Sequence, residues 1–391
     1  MRRVVKVSRI RIIITIIVVV LTTLLTGCTG KEPNEIAYVV ALGIDSTDDD
    51  NYKITIQYAN TTQISGGASE SGGKAGSEIV DNVTIEAPNI YAGVGLANNI
   101  VSKSFSMSHA KLIVFSKEIA EKGVKDMIET LVRSEEIRPD VFIAVANTTA
   151  NDYLTSVNPE MEVNPAQYYQ LIYQKNQLVG IPDGQLREFF TGLYTDNYDS
   201  ILPVAGVIDG SGGNSQNDDK GQSKDSQNEG SEGSSESLDS FESKSSNENE
   251  KEKDAEKNTS KYEYDIKNYV GGETTIEKKN KAEAIGAAVF EKDKMVGELG
   301  EVETEICKML KGDYTYSYLT YYNNDTPDIP ITVKTTQQKK PKYKIDTDKK
   351  TVDIELYIES DLYSLPADYN VENKIEDFER DVANYTSSAC T

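Results

Sequence analysis

The side chains of this chain best suited to nucleophilic or metal chemistry are three cysteines, Cys28, Cys307 and Cys390, and one histidine, His109. None of the cysteines stands in a Cys-X-X-Cys pair, and the sequence leaves open whether Cys307 and Cys390 form a disulfide. His109 directly precedes a predicted strand, where a structural role is more common than catalysis. With one imidazole and no clustered thiols, the sequence predicts neither a metal site nor a Cys–His nucleophile.

Cys28 differs from the other two cysteines because of the residues that precede it. Residues 1–11 carry five positive charges and no acid, and residues 12–25 form an apolar run of fourteen. This pattern predicts a secretory signal, since a spanning helix needs about 20 apolar residues. The Leu-Thr-Gly-Cys sequence that ends at Cys28 resembles the bacterial lipobox, whose cysteine is acylated, for example with palmitate, and becomes the mature N-terminus. An uncleaved signal anchor is the alternative.

Common enzyme motifs are absent from the sequence, which has no GxGxxG, Walker, GxSxG or HExxH pattern. Adjacent carboxylates such as Glu135 and Glu136 are frequent in an acidic chain and do not by themselves indicate glycosidase chemistry. Arg133, Arg138 and Asp140 flank a predicted strand and are interpreted as an ion pair that fixes a loop. The residues thus indicate no familiar enzyme chemistry, and the sequence predicts no cofactor.

The charge of the chain bears on its partners. It has 391 residues with 41 Lys and Arg against 64 Asp and Glu, a formal net charge of −23. An excess of acid argues against a nucleic-acid partner, because phosphates are bound by Lys and Arg. Removal of the five positive charges of the leader would make the mature protein still more acidic. Such a body does not adhere to anionic lipid by charge, so a covalent lipid would have to hold it there.

Residues 28–32 are predicted to form a short tether. The strands and helices that position the candidate residues begin after it. Residues 33–207 are predicted to form an α/β domain, because β-rich runs alternate with helical periodicity. Two strands joined by a turn open the domain, a Gly/Ser-rich loop at 61–78 follows, and Tyr168, Tyr169 and Tyr173 are predicted to pack on one helix face. The predicted strands are 36–44, 52–59, 79–86, 111–115 and 141–145, and the predicted helices are 89–102, 117–133 and 150–157.

A polar tract at residues 208–282 separates this domain from the rest. Its central part, residues 211–260, carries 13 acids against 6 lysines and almost no apolar side chain. The composition predicts a disordered acidic linker. Residues 283–391 are predicted to form an α+β region with a mostly antiparallel sheet. Its predicted strands are 284–290, 295–299, 314–322, 330–335, 343–346 and 351–358, and its predicted helices are 301–311 and 373–385.

The order of these segments resembles the Ger(x)C family, the lipoprotein C subunits of bacterial spore germinant receptors. The resemblance covers roughly residues 25–207 and 284–311, and it depends on the order and spacing of motifs that are each degenerate. The family-motif positions, here taken as structural residues, are Asp45, His109, Gly123, Arg133, Arg138, Gly286, Phe290 and Gly297. The family's usual Cys-Trp-Asp start is missing, as is any Trp.

The resemblance implies a multidomain α+β fold and a non-enzymatic, lipid-anchored subunit of a nutrient germinant receptor. It implies two integral-membrane partners, subunits A and B, and a location on the outer face of the inner spore membrane. The family's last domain continues beyond the point where this chain ends, so we expect an incomplete last domain with the strand face at 351–358 uncovered. A solute-binding lipoprotein of a transporter is the alternative, and it predicts two doubly wound lobes around a cleft.

Overall fold

The computed structural model describes residues 11–18, 35–49, 51–60, 79–159, 161–162, 164–174, 180–208, 268–274, 279–323, 326–365 and 375–389. Cys28, Cys390, the predicted loop at 61–78 and most of the predicted acidic linker lie outside these residues. Residues 11–18 are helical. Within the described part of the chain, no helix is both long enough and apolar enough to cross a bilayer.

A nine-stranded mixed sheet forms the centre of the fold, in the order β3-β2-β1-β5-β6-β7-β8-β9, with β4 paired to β1. Strands β1, β5, β6 and β7 are parallel, and both flanks of the sheet are antiparallel. The strands are β1 (Ile36–Ser46), β2 (Tyr52–Ala59), β3 (Val80–Ala87), β4 (Ser104–Ser106), β5 (Leu112–Ser116), β6 (Phe142–Ala146), β7 (Ile201–Val207), β8 (Ala282–Glu291) and β9 (Lys294–Leu299).

Helices cover both faces of this sheet, so the central strands are apolar on both sides. In β5, Ile113 and Phe115 face one core, while Leu112 and Val114 face the other. The first core takes apolar residues from α1 (Ile90–Ala97), α2 (Lys117–Lys122), α3 (Lys125–Val132) and α6 (Leu186–Leu193). The second takes them from α4 (Ala150–Ser156) and α5 (Pro165–Gln174). Helix α7 (Glu301–Lys311) follows β9.

A second, three-stranded sheet has the order β10-β11-β12. Its strands are β10 (Tyr316–Asn323), β11 (Thr326–Asp346) and β12 (Thr351–Ser364). The links between them are too short for a crossover, so the sheet is an antiparallel meander. Helix α8 (Ile375–Ala389) ends the described chain. The fold is therefore α+β and multidomain, as expected from the sequence.

The chain divides into two compact units, the first comprising Met1–Gly210, Lys267–Leu319 and Val333–Asp361, and the second the remainder. In the second unit, the ring of Tyr321 lies 6.4 Å from that of Phe378 and 6.1 Å from that of Tyr385. All three side chains are buried. In the first unit, Val352 and Ile354 of β12 are exposed, whereas Leu356 and Ile358 of the same strand are half-buried.

Four predicted elements, two helices and two strands, need correction. The single helix predicted at 117–133 is wrong, because Gly123 interrupts it with a φ of +123° and separates α2 from α3. The helix predicted at 89–102 ends early, at Ala97, where Asn98 caps it. The strands predicted at 330–335 and 343–346 are one strand, β11, whose polar middle is exposed and so lacks the alternation that marks a half-buried strand.

The predicted division into domains at residues 208 and 283 remains a prediction, but the first sheet runs across it. Strand β7 pairs with β8, for example at Leu202 and Ala288, and β8 pairs with β9. Phe290 of β8 belongs to the same core as Phe189 of α6. The strands on either side of the polar tract therefore share one sheet and one core.

Candidate functional site

The predicted motif residues fall at separate places in the first unit, and the first of them is Asp45 near the end of β1. This carboxylate is buried and accepts the main-chain N–H groups of Ala150 at 2.6 Å and of Asn151 at 3.0 Å. Both donors belong to the first turn of α4, whose positive dipole end favours an anion. Burial raises the pKa of Asp45, and the two N–H donors oppose that rise. Asp45 therefore fixes the start of α4 against the sheet.

A small polar network extends from this contact. The side-chain amide of Asn151 donates to the hydroxyl of Thr55 at 2.9 Å and to that of Thr84 at 3.0 Å. The two hydroxyls are themselves 3.2 Å apart. The network joins β2, β3 and α4 with hydroxyl and amide groups alone, so its contribution is to hold the elements together.

Gly123 lies against the turn between β8 and β9. The N–H of the next residue, Val124, donates to the carbonyl of Asp293 at 3.0 Å. A Cβ on Gly123 would lie 2.7 Å from Asp293 Oδ2, a side-chain end that could move aside, so it is the φ of +123° that requires glycine. Lys117 at the start of α2 reaches Glu298 of β9 at 3.0 Å. The fold thus places two of the family motifs in contact, although they lie far apart in the sequence.

The motif residues of β8 and β9 have structural roles of different kinds. Gly286 has a φ of +83°, and a Cβ there would lie 2.5 Å from the carbonyl oxygen of Leu299. Phe290 is fully buried, with its ring 5.0 Å from that of Phe189 in an edge-to-face arrangement. Gly297 is exposed, and a Cβ there would meet no atom within 4 Å. The structure gives no reason for glycine at Gly297.

His109, Arg133 and Arg138 lie near the edge of the sheet where the parallel strands begin. His109 is exposed, and its ring lies 4.8 Å from that of Tyr38. Arg138 pairs with Asp140 at 3.3 Å, as predicted, whereas Arg133 pairs with Glu129 of α3 at 2.6 Å. These ion pairs are exposed, and such pairs typically contribute about 0–1 kcal/mol. No convergent catalytic geometry links the three residues.

A cleft in the first unit, about 360 Å³ in volume, was not foreseen from the sequence. Charges of both signs line it, from the segment before α6, from α6 and from the end of α7. Burial raises the pKa of Asp183 and of Glu188 and lowers that of Lys308, whose ammonium donates to the carbonyl of Ile181 at 3.1 Å. Lys311 lies 5.6 Å from the ring centroid of Tyr198. The charged and hydroxyl-bearing side chains of the lining are groups that suit the binding of a polar ligand.

A second unforeseen feature is Glu305 of α7, which is buried. Its carboxylate accepts a hydrogen bond from the hydroxyl of Ser317 in β10. Burial raises the pKa of Glu305 to about 7, partly offset by that hydrogen bond. The sequence signal was weak, because Glu305 is one of many acids in the chain and only the contact of α7 with the following strand shows which of them is buried.

No group of three His, Cys, Asp or Glu side chains in the described chain could hold a metal ion. Cys307 is a free, half-buried thiol, and burial raises its pKa. The predicted tyrosine packing is confirmed: Tyr169 and Tyr173 are fully buried, and the Tyr173 hydroxyl lies 3.1 Å from that of Tyr153. The described side chains thus form structural supports and line two clefts, the second of about 560 Å³ between α1 and the segment that follows α3. Neither cleft has a recognisable catalytic centre among its described residues.

Family models match both parts of the chain. Residues 30–207 match the spore germination protein N-terminal domain, and residues 285–391 match the spore germination B3/GerAC-like C-terminal domain. Together the matches define a spore germination protein with domains on both sides of the acidic tract. The chain belongs to the Ger(x)C family of spore germination proteins.

Three relatives from two Bacillus species are similar to shorter stretches of this chain. Spore germination protein KC of Bacillus subtilis (strain 168) is 26% identical over 174 residues, which cover 41% of this chain and 42% of the relative. Spore germination protein B3 of the same strain is 26% identical over 148 residues, 35% of this chain and 36% of the relative. Spore germination protein GerQC of Bacillus cereus is 27% identical over 104 residues, 26% of this chain and 29% of the relative. The matched regions thus span about two fifths of these relatives or less.

One solved structure is similar to the chain. The crystal structure of the GerBC protein aligns with a TM-score of 0.41 and 15% identity, over 89% of this chain and 80% of that one. This level of similarity is too low to support conclusions about sites or partners.

Proposed function

We propose that this protein is a lipid-anchored, non-enzymatic subunit of a nutrient germinant receptor that acts in spore germination. The observation that carries the proposal is the pair of family matches at 30–207 and 285–391, the first of which begins directly after a lipobox-like sequence at Cys28. In the proposal, cleavage before Cys28 and acylation of its thiol tether the chain to the outer face of the inner spore membrane. More than one acyl chain gives stable anchoring.

The proposed partners are two integral-membrane subunits, A and B, with which this chain would assemble. Support comes from the family resemblance and from the site chemistry, because the family-motif residues serve as packing and capping groups. A subunit that positions partners needs such a rigid body and no reactive centre. The alternative, a solute-binding lipoprotein, predicts two doubly wound lobes, whereas the second sheet described is a three-stranded meander.

The function is tested by deletion of the gene, followed by a nutrient-germination assay on the spores. We expect loss or slowing of the response to at least one nutrient, restored by the wild-type gene. A normal response to all nutrients, in a strain without a related gene that could substitute, would refute the receptor role.

The anchor is tested separately by metabolic labelling with a fatty-acid analogue. We expect label on the wild-type protein and none on the Cys28→Ala variant. Cys307→Ala is the matched control, since it also removes one thiol but should leave the label in place. Label on Cys28→Ala would show that another residue carries the lipid.

A further inference from the structure

Helix α1 and the loop after it present an unusual surface, here called the α1 surface and defined by Leu96 and Ile100. Leu96 is 47% exposed and Ile100 is 65% exposed, although both are large and apolar. The opposite side of the helix is buried in the first core through Ile90, Val94 and other residues. The α1 surface is therefore a solvent-facing apolar face on an element that is already packed.

The same segment lacks charge. Residues 87–102 contain no Asp, Glu, Lys or Arg, although 27% of the chain is charged. The exposed face of a surface helix is ordinarily polar or charged. The net charge of the protein is −23, so an anionic bilayer repels most of its surface. An uncharged stretch of the surface can approach such a bilayer with less electrostatic repulsion.

Hydrogen bonds hold the loop in place. The N–H of Ile100 donates to the carbonyl of Ala97 at 3.0 Å. The side-chain oxygen of Asn98 accepts from the N–H of Phe105 at 2.8 Å. Ile100 is therefore presented by a fixed turn, so its exposure does not come from fraying of the helix end.

The sheet places this loop beside the start of β1. Strand β4, which follows the loop, pairs in parallel with β1 through Ile36 and Ser104. Ile36 is eight residues beyond Cys28, and eight extended residues span at most about 29 Å. If Cys28 carries the lipid, as the proposed function holds, this edge of the first unit remains close to the bilayer.

Other segments at this edge carry charges. The loop that leads from α3 to β6 includes Arg133, Glu135, Glu136 and Arg138, and Lys103 follows the α1 surface directly. Glu136 already accepts the main-chain N–H of Met107 at 2.6 Å. Compared with these charged segments, the α1 surface loses less hydration free energy when it contacts a bilayer, because it carries no charged side chain.

From this we infer that the α1 surface contacts the membrane interface, with Ile100 and Leu96 inserted among the lipid headgroups. The contact orients the tethered domain, and the partner is the lipid surface itself. The inference rests on the proposed function, because the tether brings the surface to the bilayer.

A tryptophan probe tests the contact, since the chain has no Trp of its own. The Ile100→Trp variant of the full chain is purified from membranes and reconstituted into phosphatidylcholine vesicles with and without phosphatidylglycerol. Ile345→Trp, at an isoleucine of β11 that is 69% exposed, is the matched control. Flotation of the vesicles reports the anchor, while emission and quenching by brominated lipid report the surface.

We expect both variants to float, and the Ile100→Trp emission to shift to the blue and to lose most of its intensity with brominated lipid. The Ile345→Trp emission should stay that of an exposed indole. A floating protein with an unshifted Ile100→Trp emission overturns the inference and leaves the anchor intact. A blue shift of the Ile100→Trp emission that occurs only when the A and B subunits are present also overturns the inference, because the α1 surface would then bind protein. Failure to float refutes the anchor and the inference together.

Folding of the variants is checked by circular dichroism, and Leu96→Trp provides a second probe one helical turn away. If Ile100→Trp does not fold, the result with Leu96→Trp decides between contact and no contact.

Discussion

Gly123 and Asp293 touch across segments far apart in the chain. The N–H beside Gly123 bonds to the Asp293 carbonyl at 3.0 Å, and a Cβ on Gly123 would lie 2.7 Å from the Asp293 carboxylate. This contact ties the break between α2 and α3 to the turn between β8 and β9. It links the part of the sheet before the acidic tract to the part after it.

The Gly123→Ala variant should therefore lose stability. The new Cβ meets both a close carboxylate and a φ of +123°, and strained backbone positions of this kind cost about 1–3 kcal/mol. The free energy of unfolding from urea titration measures the loss. Gly297→Ala is the matched control, since a Cβ there meets nothing within 4 Å, and it should be nearly neutral. Equal effects of the two substitutions would contradict this account.

Replacement of Asp45 by Ala should also destabilise the fold. It leaves the N–H groups of Ala150 and Asn151 without their acceptor, which typically costs about 1–3 kcal/mol for a buried group. Asp140→Ala removes an exposed ion-pair partner and should change little. Urea unfolding of the two variants compares them directly, and a smaller loss at Asp45 than at Asp140 would refute its proposed role.

Stability should depend on pH through Glu305. Its folded pKa of about 7 lies above the ordinary value of 4.5, so the folded state holds this proton more tightly. The resulting stability is fully present below the ordinary value and is lost as the pH rises through 7. The upper bound is about 3 kcal/mol, at about 1.4 kcal/mol for each pKa unit.

The Glu305→Gln variant isolates this contribution, because the amide stays neutral and its oxygen can still accept from Ser317. We expect a flatter dependence of the unfolding free energy on pH between about 4.5 and 7. Glu121→Gln, on the exposed side of α2, should keep the wild-type slope. An unchanged slope in Glu305→Gln would mean that the carboxylate is ionised in the fold throughout this range.

Division of the protein within the acidic tract should leave its parts associated. Residues 1–230 and 231–391, produced as two chains in one cell, should purify together because β7 pairs with β8 in one sheet. Phe290→Asp in the second chain should weaken the association, since that side chain is fully buried in the shared core. Independent purification of the two wild-type chains would instead favour the division into domains predicted from the sequence.

Local patterns predicted much of the fold. The alternation of Tyr52, Ile54 and Ile56 marked β2, and the apolar spacing of residues 301–311 marked α7 to the residue. The ends of helices were poorly predicted where the backbone conformation of one residue determines them. The side-chain pattern carries no information about such positions. The break at Gly123 is an example, because its positive φ is stabilised by a distant contact.

The candidate sites were less predictable. Asp45, Gly286 and Phe290 were found through the family resemblance, but nothing in the sequence showed that Asp45 caps α4 or that Phe290 packs on Phe189. The cleft with Lys308 had no sequence signal, and the signal for the buried Glu305 was weak. Charged residues are normally exposed, so their burial depends on neighbours that only the folded chain supplies.

The sequence by itself determined the family of the protein, since the order and spacing of its motifs need no three-dimensional information. It also fixed most strands and helices, because periodicity follows from local geometry. The tertiary structure decided that the strands beyond the acidic tract complete the first sheet. It also decided which charges are buried and which apolar side chains remain exposed on α1. These outcomes depend on long-range pairing, which brings together residues that the sequence keeps far apart.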